Sequence, residues 1–163
     1  MKYISQPFKK TVKPEQYENA KKHWTKLIAG EISGAFHMLR YTKAGAGQEY
    51  GKLGELNPMV CGTSACSAGY IPETLQIPHG ELKAYITDGF FRLDFRKIVR
   101  DYLGIAYGDA YRWCFDAHWG YVDDSAKGAG IRMRILYENG LPENWTDQQA
   151  GAEPLMYLQE LPK

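Results

Sequence analysis

Cysteine is scarce in this chain, three among 163 residues, an odd number and too few for a secreted disulfide framework. A run of about 18 apolar residues, enough to span a bilayer, is missing as well. So is the apolar core of a secretory leader after Met1-Lys2-Tyr3-Ile4-Ser5. These lacks lead to the expectation of a cytoplasmic protein with no membrane partner. Charge of one sign is also in short supply. Lys+Arg 20 against Asp+Glu 19 give a formal net charge of +1, so no global field steers the chain to nucleic acid, which finds no support here. There is no internal repeat and no low-complexity tract. What stands out is aromatic content, 13% of residues with 12 Tyr, 4 Trp and 6 Phe. Tyr and Trp join a large apolar body to a polar tip, which suits both a mixed core and an adhesive surface.

The length and the 44% hydrophobic content predict one domain over 1–163, able to bury a core without staples. Lys13-Pro14-Glu15 opens a helix, with Pro in the first turn and an acid near the positive end of the dipole. Tyr17, Ala20, Trp24, Leu27 and Ile28 then recur at helical spacing up to Gly30, giving a helix over 13–30. Lys21, Lys22 and Lys26 lie on its other, solvated face. Residues 31–56 form a glycine-rich loop region in which only Phe36 to Tyr41 reads as a short strand or anchored loop. A connection this long is often functional, and over 42–56 a lid and a passive loop both remain open.

The stretch 57–142 is expected to be a helical body. Pro58 and Ile71-Pro72 bracket room for two or three helical turns across Gly62 to Gly69. Residues 81–93 fit either a short helix or a hairpin around Asp88-Gly89. Three punctuated helices follow: one capped by Asp94 and closed by Gly104, one capped by Asp109, and one started at Asp123-Asp124-Ser125 and stopped at Asn139-Gly140. Gly128 and Gly130 within the last would permit close helix packing. The tail 143–163 is expected to lie as an extended strap. The fold class is therefore mainly α, a single compact domain of about five helices with long irregular connections and room for one short β-hairpin.

Three blocks follow in order: Cys61-Gly62-Thr63-x-x-Cys66-x-x-Gly69, Tyr111-x-Trp113-x-Phe115-x-x-x-Trp119, and Asp124 to Gly140-Leu141-Pro142. Over roughly residues 57–142 this set resembles a group of small bacteriophage and bacterial proteins. The resemblance implies a phage or bacterial origin and a cytoplasmic setting, that of the host for a phage protein. It carries over no catalytic residue.

Four chemistries compete for the remaining side chains. A cysteine near a helix N-terminus is set up for thiolate formation, so Cys61 is the candidate nucleophile of a hydrolase or transferase. His37 is the first choice of base, with His118 second and Asp116 or Asp123 to orient the imidazole. The competing reading makes Cys61 a small buried hydrophobe. A zinc site from Cys61, Cys66, Cys114 and His118 is the weaker alternative. Cys114 and His118 would share one helix face at a spacing of four, but Cys61 and Cys66 are turned about 500° apart on a regular helix. Otherwise no cofactor is expected. Asp116, Asp123 and Asp124 read as helix-end residues before they read as a cation or general-acid cluster. Finally, Tyr107, Tyr111, Arg112, Trp113, Trp119 and Tyr121 are too dense an aromatic group for one helix to bury completely. Tyr, Trp and Arg dominate protein interfaces. The favoured function is thus a small accessory protein that binds a host or viral partner, inhibitory or anti-defence in effect, rather than an enzyme. A virion component and a small-molecule binder remain as alternatives, and the sequence does not set the oligomeric state.

Overall fold

A computed structural model describes residues 2–32, 35–36, 64–65, 67–87 and 92–155. Seven α-helices and two pairs of two-residue strands lie among them. The fold is mainly α, with more and shorter helices than the sequence periodicity predicts. α1 is Pro14–Ala29, and α6 is Ala126–Glu138. These two form the spine. Gly130 makes their approach possible: a Cβ there would sit 2.8 Å from Ile28 Cγ1 and 2.9 Å from the Trp24 carbonyl oxygen. A methyl group in a packed contact of this kind forces the neighbouring helix away. Around the crossing, Trp24 lies 5.6 Å from Tyr137 and Phe8 lies 6.0 Å from Tyr137, ring centroid to ring centroid. The Tyr137 hydroxyl donates to the Leu103 carbonyl and so ties in the third large helix, α4, Phe95–Leu103.

The punctuation explains why these segments stop where they do. Asp94 Oδ1 accepts from the Lys97 amide at 3.1 Å, and Gly104 ends α4 in the left-handed region at φ 75. A side chain at Gly104 would be strained and would also meet Val12 Cγ1 at 2.8 Å. α5 is Asp109–Phe115, in which Asp109 is the first helical residue and Gly108 the cap. At the start of α6 the cap is Ser125 rather than Asp124, its Oγ accepting from the Gly128 amide at 3.0 Å.

Elsewhere the structure departs from the sequence reading. Ser64–Ala65 is a strand, β2, paired in parallel with β1, Ala35–Phe36, so no helix runs across 62–69. The chain turns helical only at Ala68–Tyr70, a 3-10 turn that leads into α2, Ile71–Thr74. Pro72 is an initiator here and not a stop, because the amide it lacks would have no partner in a first turn. α3, His79–Leu82, and a 3-10 turn at Lys83–Tyr85 are followed by β3, Ile86–Thr87, antiparallel to β4, Arg92–Leu93. Within 81–93 helical residues thus come first and an antiparallel strand pair after them, while the turn expected at Asp88-Gly89 lies outside the described residues. The tail is not an extended strap throughout: Trp145–Gln149 is α7, with Trp145 and Gln148 buried. The N-terminus is fastened beside it, since the Ile4 amide donates to the Leu141 carbonyl at 2.8 Å and the Glu143 amide to that of Lys2 at 2.9 Å. No helix among the described residues is long and apolar enough to cross a membrane.

Candidate functional site

Cys61, His37 and Cys66, and with them the 42–56 loop, lie outside the described residues. The other candidates group around α5. That helix ends because Asp116 turns extended, at φ −65 and ψ 136, and its carboxylate starts a 3-10 helix at Ala117–Tyr121. Asp116 Oδ1 accepts from the His118 amide at 3.0 Å and from His118 Nδ1 at 2.7 Å. Burial works to raise the Asp116 carboxyl, but these donors outweigh it and hold the group below the usual carboxylate range.

The break at Asp116 separates Cys114 from His118. Cys114 is fully buried, and burial pushes its thiol well above the ordinary range, which disfavours the thiolate that metals and electrophiles need. His118 stands at the surface with its side chain 73% exposed. The shared helix face proposed for a zinc pair therefore does not exist. Among the described residues no group of three His, Cys, Asp or Glu side chains is gathered to hold a metal ion. Nor do the acids form one cluster by their bonds. Asp116 serves His118, whereas Asp123 Oδ2 accepts from Arg132 Nη1 at 3.0 Å and Asp123 Oδ1 from Ser125 Oγ at 2.6 Å.

Burial sorts the aromatic group in two. Trp113 and Trp119 are fully buried and meet edge to face at 5.3 Å. The Trp113 indole donates to the Arg132 carbonyl at 2.7 Å and the Trp119 indole to that of Arg112 at 3.1 Å. Arg132, itself buried, lies with Cζ 4.3 Å from the Trp119 ring centroid. These are fastenings of the interior. Tyr111 is buried too, 5.0 Å from Phe115 by ring centroids.

Outside them is a different set. Tyr107, in the connection between α4 and α5, is 53% exposed and Tyr121 is 79% exposed. The Arg96 guanidinium, from α4, stacks with Cζ 3.8 Å from the Tyr107 ring centroid, and Arg112, from α5, approaches the same ring at 5.6 Å. A hydrogen bond from the Arg112 side chain first, then the charge of Arg112 and that of Arg96, holds the Tyr107 phenol below its usual pKa. Tyr107 in turn leans on Tyr111, with ring centroids 5.4 Å apart. Of the five residues expected to bind, then, Arg112 and Tyr121 reach the surface, and Tyr111, Trp113 and Trp119 lie beneath it; Tyr107, counted only as part of the aromatic cluster, is the exposed ring beside Arg112.

Two features carry no signal that the motif reading picked up. Arg96 sits on the polar face of α4 and meets Tyr107 only because Gly104 turns the chain back. The second is a buried relay: His23 Nδ1 lies 2.5 Å from Thr74 Oγ1, and His23 Nε2 lies 3.1 Å from Ser67 Oγ. All three are buried. Burial lowers the His23 pKa to about 3, against a smaller opposing pull from the Ser67 backbone. A base at neutral pH needs a pKa near 7. This imidazole instead joins α1 to the turn and helix that follow the cysteine segment. Its place between Ala20, Trp24 and Leu27 on the apolar stripe was the available clue. Comparison with protein families, with characterised proteins and with solved structures yields no match for the chain.

Proposed function

We propose that this is a small phage or bacterial accessory protein that works by binding a host or viral partner protein through the corner formed by α4, α5 and the 3-10 helix after it. The observation that carries the reading is the exposed Tyr107 ring between two guanidiniums, backed by Tyr111 and by the buried tryptophans. Large rings held rigid from below lose little conformational freedom on binding, and Tyr with Arg is the side-chain pair that interfaces favour.

The test is site-specific photo-cross-linking in the producing cell, with benzoylphenylalanine placed at position 107, at 121, or at Lys22 on the exposed face of α1. Discrete protein adducts from 107 and 121, and none from 22, support the reading. Adducts equal at all three positions, or absent from 107 and 121, reject it. Cys61→Ser should leave the adducts unchanged, and their loss would return the protein to the cysteine-dependent enzyme.

A further inference from the structure

We infer that the Arg96–Tyr107–Arg112 cluster is a carboxylate-binding clamp, and that the partner it fits is a protein presenting an acidic side chain on an exposed segment. The inference rests on the binding reading above and adds the chemistry of the ligand.

Three observations converge on it. First, the two guanidiniums come from different helices and meet at one ring, Arg96 over the face at 3.8 Å and Arg112 at 5.6 Å. Like charges brought this close repel each other. The π face of Tyr107 offsets part of that repulsion, and an anion shared between them would offset more. Second, both arginines lie at the surface, and among the described residues neither has a carboxylate within ion-pair distance. Their neighbours are otherwise occupied or too far. Asp116 is bonded to His118, Asp109 and Asp116 act on Arg112 only through space, and Asp101 pairs with Arg100 at 3.1 Å. Third, Arg96 is exposed with its Cζ 3.8 Å from the ring centroid, and a guanidinium at the surface presents an edge of N–H donors. That edge is the fork which takes a carboxylate in bidentate fashion.

A carboxylate fits better than a nucleic acid. The chain carries a net charge of only +1, and Asp109 and Asp116 stand at either end of the helix that bears Arg112. A string of phosphates would have to pass one of these acids, whereas a single carboxylate need not. The exposed edge of the Tyr107 ring then offers apolar surface to whatever flanks the acid.

The experiment is fluorescence anisotropy at low salt with the full chain and a fluorescein-labelled hexaglutamate peptide. A seven-residue oligothymidylate, whose six phosphodiesters match the six side-chain carboxylates, serves as the second arm. Expected is saturable binding of the peptide, weakened about tenfold or more by Arg96→Ala and by Arg112→Ala, which is the scale of a lost charge-assisted pair. Arg96→Lys should restore only part of the affinity, because lysine keeps the charge and loses the planar fork. Arg100→Ala, whose guanidinium is already paired, should change nothing. The four variants alter exposed side chains, and circular dichroism confirms that they remain folded. Absence of saturable binding overturns the clamp, and so does an equal loss in Arg100→Ala. Tighter binding of the oligonucleotide with the same arginine dependence replaces the acidic protein with a nucleic acid. The two readings fail separately. Cross-links from position 107 without hexaglutamate binding remove the carboxylate and leave the partner surface, while arginine-dependent peptide binding without any protein adduct does the reverse.

Discussion

Arg132 and Arg96 both lie over aromatic rings, in opposite circumstances. Arg132 sits 4.3 Å from Trp119 in the interior, has no exposed surface, and is paired with Asp123 at 3.0 Å. Arg96 sits 3.8 Å from Tyr107 at the surface, among no described carboxylates within reach. The contact chemistry is the same and the consequence differs, because burial decides whether a charge must find its partner within the chain. An interior guanidinium without an anion is too costly to keep, so Asp123 is there. A surface guanidinium is hydrated and can wait for a partner from outside. The cationic–aromatic motif is thus structural in the interior and available for recognition at the surface.

The comparison breaks most sharply at the interior pair. Asp123→Ala leaves Arg132 charged and buried without the Asp123 carboxylate, and should cost about 3–5 kcal/mol in urea-induced unfolding. Trp119→Ala, which removes the ring under Arg132 and the indole bond to Arg112, should fall in the same range of about 3–5 kcal/mol. Arg96→Ala and Tyr121→Ala should leave the unfolding midpoint where it is. If the surface variants destabilise the chain as much as the interior ones, the division between interior and surface is wrong.

A second interior polar group sharpens the same point through pH. His23 is buried and neutral, with its pKa lowered from 6.5 to about 3. Below pH 6.5 the unfolded chain takes up a proton that the folded chain refuses, so stability falls as pH drops from 6.5 toward 3. The slope from this one group is about 1.4 kcal/mol per pH unit, or roughly 2 kcal/mol lost between pH 6.5 and 5. His23→Gln should flatten that part of the stability profile while the carboxylate-driven loss at lower pH persists. An unchanged slope would mean that His23 is protonated in the folded protein.

Much of this was legible in the residues, and what was not has a common cause. α1, α4 and α6 are long enough for a 3.6-residue apolar stripe to show, and their ends carry Pro14, Asp94, Gly104 and Ser125 as local punctuation. Gly128 and Gly130 likewise announced close packing, and Gly130 faces α1 as that reading requires. Misreadings fall on short elements. A four-residue helix such as α2 has no period, and Pro72 reads equally as its start or as the end of something before it. Asp116 caused the largest error. An extended residue in mid-pattern, held by its own side chain to the residue two positions on, leaves the apolar spacing of Trp113 and Trp119 intact while turning His118 away from Cys114. Nothing in the spacing could show that Arg96 and Arg112 share a ring, since fifteen residues, a left-handed glycine among them, separate the two.

The smallest effect is the most direct measure of the surface half of the comparison. A phenol between two guanidiniums gives up its proton more readily, because both cations favour the phenolate and little burial opposes them. Tyr107 should therefore ionise first among the tyrosines that show a shift. Tyr17 is held up at about 12 by its bond to Glu138, and Tyr85 is pushed to about 12 by burial and its bond to Asp101. In a spectrophotometric titration near 295 nm, Tyr107→Phe should delete the earliest phenolate step and leave the later ones in place. Arg112→Ala should move that step to higher pH, and Arg96→Ala should move it by less, in the order of their pull on the phenolate. Saturating hexaglutamate should also raise it, since a bound carboxylate spends the positive potential that the phenolate would otherwise use. A first step indifferent to both arginines would mean that the guanidiniums do not hold their places around the ring in solution, and the surface half of the comparison would lose its basis.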